Sequence, residues 1–299
     1  MSLAPILLFT YKRLGTLQQT VSSLQKNQLS SQSDLFVFSD AAKSEKDIDS
    51  VGEVRSYLKT ITDFKTITIH ESPTNKGLAT SIISGVTQII NDYGKIIVLE
   101  DDLETSPNFL SFMNQALDYY EHHASVFSIS GFTMPMKGLR PDEVYFTQRA
   151  SSWGWATWKD RWTPIDWQVK DYASFRCNDT QRKLFNRMGS DMSDMLDRQM
   201  RGDINSWAIR WCYHQYKKGL YTVFPAESKV QNIGLENPAS THTNERFNRF
   251  KTKIDQRHIR QFRFSDTIEL DKYLLNQFTR PYSIPERVKY KLLNLLFAR

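Results

Sequence analysis

Strand-like apolar runs alternate with helical periodicity through the first hundred residues, and this alternation constrains the fold more than any other feature of the chain. Pro5–Tyr11 is a short run of buried-strand type, and after Lys12-Arg13 the residues Leu14, Leu17, Val21 and Leu24 recur at helical spacing. Asp34–Asp40 reads as a second strand, followed by a polar loop and a helix around Val51–Thr60. Thr66–His70 alternates as a third strand and leads through Ser72–Gly77 to a helix over Leu78–Asn91, and Ile96-Ile97-Val98-Leu99 is the fourth. Strand–helix alternation of this kind predicts an α/β fold with a mostly parallel central sheet flanked by helices.

The fourth run ends in Glu100-Asp101-Asp102. In open α/β sheets ligands bind at the C-terminal ends of the strands, so these carboxylates are expected to face a cleft. Three adjacent carboxylates repel one another; a divalent cation relieves that repulsion, and hard oxygen ligands suit Mg2+ or Mn2+. The other reading is an acidic loop in which Asp102 or Ser106 caps the next helix. The same edge would gather Thr10, Tyr11 and Arg13 from the first strand–helix junction and Asp40 from the second. Asn75-Lys76-Gly77 could present backbone N–H groups and an ammonium to phosphate or base, or form a plain turn. No Gly-x-Gly-x-x-Gly follows the first strand and no Gly-x-x-x-x-Gly-Lys-Ser/Thr occurs, which argues against a dinucleotide-binding dehydrogenase and a P-loop NTPase.

Pro107–His123 keeps one face apolar over its whole length, and Val126–Ser130 and Val144–Thr147 read as further strands, the latter near the sheet edge. Trp153-Gly154-Trp155 lies among serines. There a glycine permits close backbone approach and indole faces suit sugar C–H groups; packing of an extra core layer is the alternative. A charged helical pattern runs from Ser174 to Arg201, then Gly202–Ser206 breaks it before a helix over Trp207–Lys217 and a last strand at Leu220–Pro225. Glu227–Phe250 has no pattern and reads as loop. The final basic segment ends in an amphipathic helix over Glu286–Arg299, suited to an anionic membrane surface or to docking on its own domain.

Composition narrows the classes further. A hydrophobic share of 40% supports a sizeable core, and seven tryptophans are more than such a core needs. The net charge of +6 is concentrated after Arg140 and again after Arg246, which suits an anionic substrate or membrane surface. No nucleic-acid-binding motif is present, so nucleic acid is not an expected partner. Cys177 and Cys212 offer neither a disulfide framework nor zinc spacing, and reduced thiols in a cytoplasmic setting are expected. The Pro5–Phe9 run is too short for a signal peptide, and no stretch reaches the ~20 apolar residues of a membrane span.

These motifs resemble the GT-A class of nucleotide-sugar-dependent glycosyltransferases, the family 2-like group, and most of all bacterial relatives of eukaryotic N-acetylglucosaminyltransferase I. The likeness covers roughly residues 4–245. It rests on Pro5–Arg13, Ser39-Asp40, Val98–Glu104 with Ser106-Pro107-Asn108-Phe109, Trp153-Gly154-Trp155 and Ser206-Trp207, the Glu-Asp-Asp segment with its following Pro-x-Phe being the most specific. The resemblance implies a GT-A (nucleotide-diphospho-sugar transferase) fold with a nucleotide-binding half at about 1–105, an acceptor half at about 106–245 and a basic helical C-terminal extension at 246–299. It implies that Asp40 contacts the base and Arg13 the diphosphate, with Thr10, Asn75, Lys76 and Gly77 also at the donor. Glu100 and Asp101 would lie near the ribose and donor sugar. Asp102, in the position of a DxD-type motif, would bind Mn2+ or Mg2+, joined by His242. Trp153, Gly154, Trp155 and Trp207 would face the acceptor.

Inverting relatives place a carboxylate base where this sequence reads Asp203-Ile204-Asn205-Ser206-Trp207; Asn205 and Ser206 are not bases, and Asp203 is the nearest carboxylate. The implied activity is transfer from a nucleotide-diphospho-sugar, UDP-linked by preference, to a glycan or lipid-linked acceptor in bacterial polysaccharide synthesis. The inner face of the cell membrane would be the place, with residues 280–299 as the contact. Two other readings stay open. A sugar nucleotidyltransferase would carry a glycine-rich loop after the first strand, where Thr10–Gly15 has one glycine. A non-catalytic sugar-binding relative would fit the loss of a base at Asn205–Ser206.

Overall fold

The computed structural model describes residues 2–234 and 247–296. Among these residues ten strands are formed: β1 (Ile6–Thr10), β2 (Asp34–Ser39), β3 (Thr66–Glu71), β4 (Lys95–Glu100), β5 (Leu103–Thr105), β6 (Val126–Ser130), β7 (Val144–Thr147), β8 (Trp155–Trp158), β9 (Tyr221–Pro225) and β10 (Val230–Asn232). The helices are α1 (Leu14–Gln25), α2 (Ile48–Leu58), α3 (Leu78–Tyr93), α4 (Phe109–Tyr119), α5 (Lys159–Trp162), α6 (Tyr172–Arg176), α7 (Asp179–Phe185), α8 (Met192–Arg201), α9 (Trp207–Lys218), α10 (Lys272–Thr279) and α11 (Ile284–Leu296).

Eight strands form one sheet in the order β3-β2-β1-β4-β8-β6-β9-β7, and β5 pairs with β10 in a separate ribbon. The neighbours β3, β2, β1 and β4 are all parallel. β8 enters antiparallel between β4 and β6, while β6 and β9 are parallel and β7 closes the edge antiparallel. This is the mostly parallel, helix-flanked sheet expected of the GT-A fold.

Period-two alternation divides the strands between two cores. Ile6, Leu8, Leu35, Val37, Ile97 and Leu99 face α1, α2 and α4, packing on Leu17, Val21, Phe112 and Leu117. Leu7, Phe9, Phe36, Ile96 and Val98 face the other way, toward α3 and α9, with Ile82, Val86, Trp207 and Trp211. Those helical contacts recur at three- and four-residue spacing, which puts one apolar stripe of each helix on the sheet. α3 ends at Gly94, whose φ of 76° is left-handed and whose N–H returns to the Ile90 carbonyl, a C-terminal cap that favours glycine.

Three features were not apparent in the sequence. The 174–201 stretch, expected as one helical pattern, is divided into α6, α7 and α8, because it turns at Cys177-Asn178 and at Gly189. β8 grows out of the Trp-Gly-Trp segment, and β10 lies in the stretch expected to be loop. The residues after 246 pack on the α4 side of the sheet: Phe262 meets Phe112 edge-on at 5.0 Å, Tyr120 Oη donates to the Ser265 carbonyl, and Phe278 is 1% exposed. Lys229 and Asp255 form an ion pair of 2.5 Å with both side chains fully buried.

Candidate active site

The β4 strand delivers Glu100, Asp101 and Asp102 beside the end of β1, with Glu100 in register with Phe9. Asp101 is held from three sides. Its Oδ2 accepts from Thr10 Oγ1 at 2.9 Å and from the Tyr11 N–H at 3.2 Å, and its Oδ1 accepts from an Arg13 guanidinium N–H at 2.5 Å. The other Arg13 terminal nitrogen lies 2.9 Å from Asp102 Oδ2. Arg13 therefore bridges the two carboxylates, and Asp101, 3% exposed, braces the β1–α1 junction.

Asp102 is held in place from behind by β10. Its carbonyl accepts the Ile233 N–H at 2.9 Å, and a Cβ at Gly234 would collide with the Asp102 carboxylate and the Arg13 guanidinium. Gly234 is a site residue the sequence reading missed, since nothing near it in the chain signals that it meets Asp102.

Burial, then the charges of Asp102 and Asp101, push the Glu100 carboxyl up to about 8, with Arg13 opposing. Burial also raises Asp102, against the lowering effect of Arg13. Crowded carboxylates of this kind are short of positive charge.

A second corner lies at the ends of β2 and β3. The Asp40 N–H donates to the Thr10 carbonyl, so Asp40 adjoins the β1 end. Its carboxylate accepts the backbone N–H groups of Ala41, Lys76 and Gly77. Asn75 Nδ2 donates to the Ala41 carbonyl at 2.7 Å. The Lys76 and Gly77 N–H groups that could have met phosphate are thus engaged by Asp40, because a buried carboxylate at 8% exposure requires donors. The Lys76 side chain lines a cleft of about 250 Å³ together with Phe38, Asp40 and His70.

The tryptophan segment requires a correction. Trp155 and Trp207 are 1% and 3% exposed and stack with Trp162 and Trp211 in the α3/α9 core, so neither offers a face to an acceptor. Gly154 has φ 58°, and a Cβ there would lie 2.7 Å from Val230 Cγ1, so its smallness serves core packing against β10. Trp153 does line a cavity. It is half-buried and edge-on to Phe132 and Phe250, and it lines a cleft of about 180 Å³ with Arg149, Ser151, Ser152 and Tyr282. Arg149 makes a bidentate pair with Asp191 at 2.8 and 3.0 Å and lies 3.8 Å over the Tyr282 ring. These residues were not singled out in the sequence, because the pair joins positions 42 residues apart.

Asp203 is not among the lining residues of either cleft and is paired with Arg201 at 2.8 Å at the surface. Ser206 caps α9, its Oγ accepting the Ile209 N–H. His242 lies outside the described residues.

The donor set suits a hard divalent cation in oxygen type and in charge. Among the described residues no cluster of three or more His, Cys, Asp or Glu side chains is arranged to hold a metal. A cation at Asp102 would therefore take most of its ligands from a bound diphosphate and water, the usual arrangement for Mg2+ held by one or two carboxylates and substrate phosphates.

The mostly parallel sheet and the acidic turn at the end of its fourth strand are the features expected of a nucleotide-sugar glycosyltransferase. The family model described as the GNT-I family matches residues 1–188, and the chain belongs to that family. Partial similarity extends to several solved structures. The mannosyltransferase PcManGT from Pyrobaculum calidifontis, in complex with GDP-Man and Mn2+, is 12% identical over 52% of this chain and 44% of that one, with a TM-score of 0.39. TarS of S. aureus in complex with UDP-GlcNAc is 15% identical over 47% and 37%, with a TM-score of 0.33. Mouse xyloside xylosyltransferase 1 in its apo form is 9% identical over 72% and 82%, with a TM-score of 0.38. The chain spans less than half the length of the first two. No curated protein sequence matches it.

Proposed function

We propose that this glycosyltransferase transfers a sugar, with inversion and with the help of Mn2+ or Mg2+ at Asp102, from a UDP-linked nucleotide sugar to a glycan or lipid-linked acceptor in bacterial polysaccharide assembly. The observation that carries the reading is the crowded acidic turn, in which Glu100, Asp101 and Asp102 follow one another at the end of β4 beside the β1 end, with Arg13 bridging Asp101 and Asp102. A bound divalent cation would act as a Lewis acid toward the departing diphosphate.

The chain's own residues contribute the rest. Arg13, with one terminal nitrogen on Asp101 and the other on Asp102, would lend its positive charge to a phosphate bound beside Asp102, and guanidinium–phosphate pairing is strong and directional. Asp101 fixes Arg13 and the Thr10–Tyr11 backbone so that this charge does not have to be ordered during the reaction. Asp40 holds the Asn75–Gly77 loop, whose lysine borders the donor-side cleft. Trp153, with Ser151 and Ser152, supplies an apolar face and hydroxyls for an acceptor sugar. The base that takes the acceptor proton must lie within hydrogen-bond reach of that hydroxyl, and the surface pairing of Asp203 with Arg201 places it poorly for this.

The experiment is a thermal-shift panel of UDP, GDP and CMP with and without Mn2+, followed by donor turnover in Asp102→Asn. A ligand at ~100 times its Kd stabilises the native state by about 2.7 kcal/mol. UDP is expected to raise the melting temperature with Mn2+ and not in chelator, and Asp102→Asn is expected to lose that response along with about 100-fold or more in turnover. Full turnover in chelator or in Asp102→Asn would remove the metal from the reading.

A further inference from the structure

We infer that α11 is a membrane-surface helix that docks the protein on an anionic lipid bilayer. The helix is fixed to the body through polar groups on one side. Asn294 Nδ2 donates to the Phe247 carbonyl, its Oδ1 accepts the Phe247 N–H, and an Arg287 guanidinium N–H donates to Ser190 Oγ. Those contacts leave the apolar side outward. Ile284, Val288, Leu292, Leu295 and Leu296 are 64%, 49%, 52%, 66% and 75% exposed, and no residue of the helix is buried.

At about 100° per residue these five side chains fall within an arc of roughly 120°. Lys291 lies about 20° beyond one edge of that arc and Lys289 about 20° beyond the other, and both are exposed. An apolar stripe bordered on each side by lysines matches the boundary between acyl chains and headgroups. The leucines enter the apolar layer while the ammonium groups reach back to anionic headgroups. Lys289, whose ammonium also lies 3.4 Å from Glu286, and Lys291 give the stripe a cationic margin on each side, and that charge complements an anionic lipid surface as the occupant. None of the described helices is long and apolar enough to cross a membrane, which leaves α11 lying in the plane of the surface.

The test is co-sedimentation of the full chain with vesicles of phosphatidylcholine alone and with added phosphatidylglycerol, at low and high salt. Three proteins are compared: wild type, Val288→Asp/Leu292→Asp, and Lys289→Gln/Lys291→Gln. Wild type is expected to pellet with the anionic vesicles and to be released by salt. The aspartate pair is expected to abolish binding without moving the melting temperature, since its positions face outward. The glutamine pair is expected to weaken partitioning on the order of 30-fold, from about 1 kcal/mol for each lysine near the surface. Equal binding by all three proteins, or no binding of wild type to anionic vesicles at low salt, overturns the inference. Sedimentation velocity without lipid supplies the other arm: a dimer that the aspartate pair dissociates would assign the stripe to a second copy of the chain and overturn it as well.

Discussion

Arg13 shares its guanidinium between Asp101 and Asp102, and the two carboxylates come out of that arrangement with different duties. Asp101 has its oxygens filled by Thr10, Tyr11 and Arg13, whereas the Asp102 carboxylate pairs with Arg13 and faces Gly234. Asp102 is accordingly the carboxylate we propose as the cation ligand. The same reasoning applies to Asp203. An exposed carboxylate paired with Arg201 at the α8–α9 turn is a surface ion pair of small energetic weight. Asp203→Asn is expected to leave turnover within about threefold, whereas a catalytic base contributes about 100-fold or more; a loss of that size in steady-state rates would restore Asp203 as the base.

Arg149 and Asp191 make the opposite case, a buried bidentate pair. Burial acts to raise the Asp191 carboxyl, but the charge and hydrogen bonds of Arg149 outweigh it and hold Asp191 below the usual carboxylate value. With the folded value below the unfolded one, the pair's contribution is complete above the ordinary carboxylate pKa and is lost as pH falls through the folded value. Asp191→Asn leaves a buried guanidinium uncompensated and is expected to cost about 3–5 kcal/mol at neutral pH. Denaturant melts of wild type and variant should converge as the pH is lowered below the carboxylate range, and a constant difference would refute the assignment.

At the scale of elements, β8 and β10 decide what the site is. β8 carries Trp155 into the sheet between β4 and β6, where it contacts Trp162, Trp207 and Trp211. Trp155→Ala is therefore expected to cost about 3–5 kcal/mol of stability, the usual cost of emptying a large core site. Trp153→Ala, at the rim of the cleft, is expected to raise acceptor KM with a smaller loss of stability. Urea unfolding and acceptor titration on the two variants separate the roles, and a stable Trp155→Ala protein with a raised acceptor KM would reverse them.

The first four strands were legible because each is a run of apolar residues bounded by a turn, and the pattern is local. The five-residue β6 and four-residue β7 were found the same way. β10 was not, since three residues of ribbon have no period to read. The Trp-Gly-Trp segment stands out by composition, but indoles that pack on one another and indoles that stack on sugar look alike in one dimension.

On the scale of the whole molecule, the segment after residue 246 is bound into the domain. Asp255 accepts from Lys229 and Asn108, and Phe278 and Tyr282 enter the core beneath the 180 Å³ cleft. Lys229→Met removes the buried cation but leaves Arg257 paired with Asp255 at 3.1 Å, so it is expected to destabilise by about 1–3 kcal/mol, and Lys229→Met/Asp255→Leu to recover part of that, since an apolar pair of similar volume often replaces a buried ion pair at no net cost. Denaturant midpoints of the two variants test this; a double variant as unstable as the single one would show that the pair is needed for more than charge balance.

Read alone, the sequence determined the α/β class, the strand-and-helix order of the first hundred residues and the placement of Glu100, Asp101 and Asp102 at a strand end. Each of these follows from hydrophobic periodicity over a few neighbouring residues. The tertiary structure decided which carboxylate braces the β1–α1 junction and which faces Gly234, that Trp155 and Trp207 are core while Trp153 lines a cleft, and that α11 turns Leu292, Leu295 and Leu296 outward. Those outcomes depend on partners such as Arg13, Gly234, Ser190 and Phe247, which lie far from them along the chain and meet them only when the whole chain has packed.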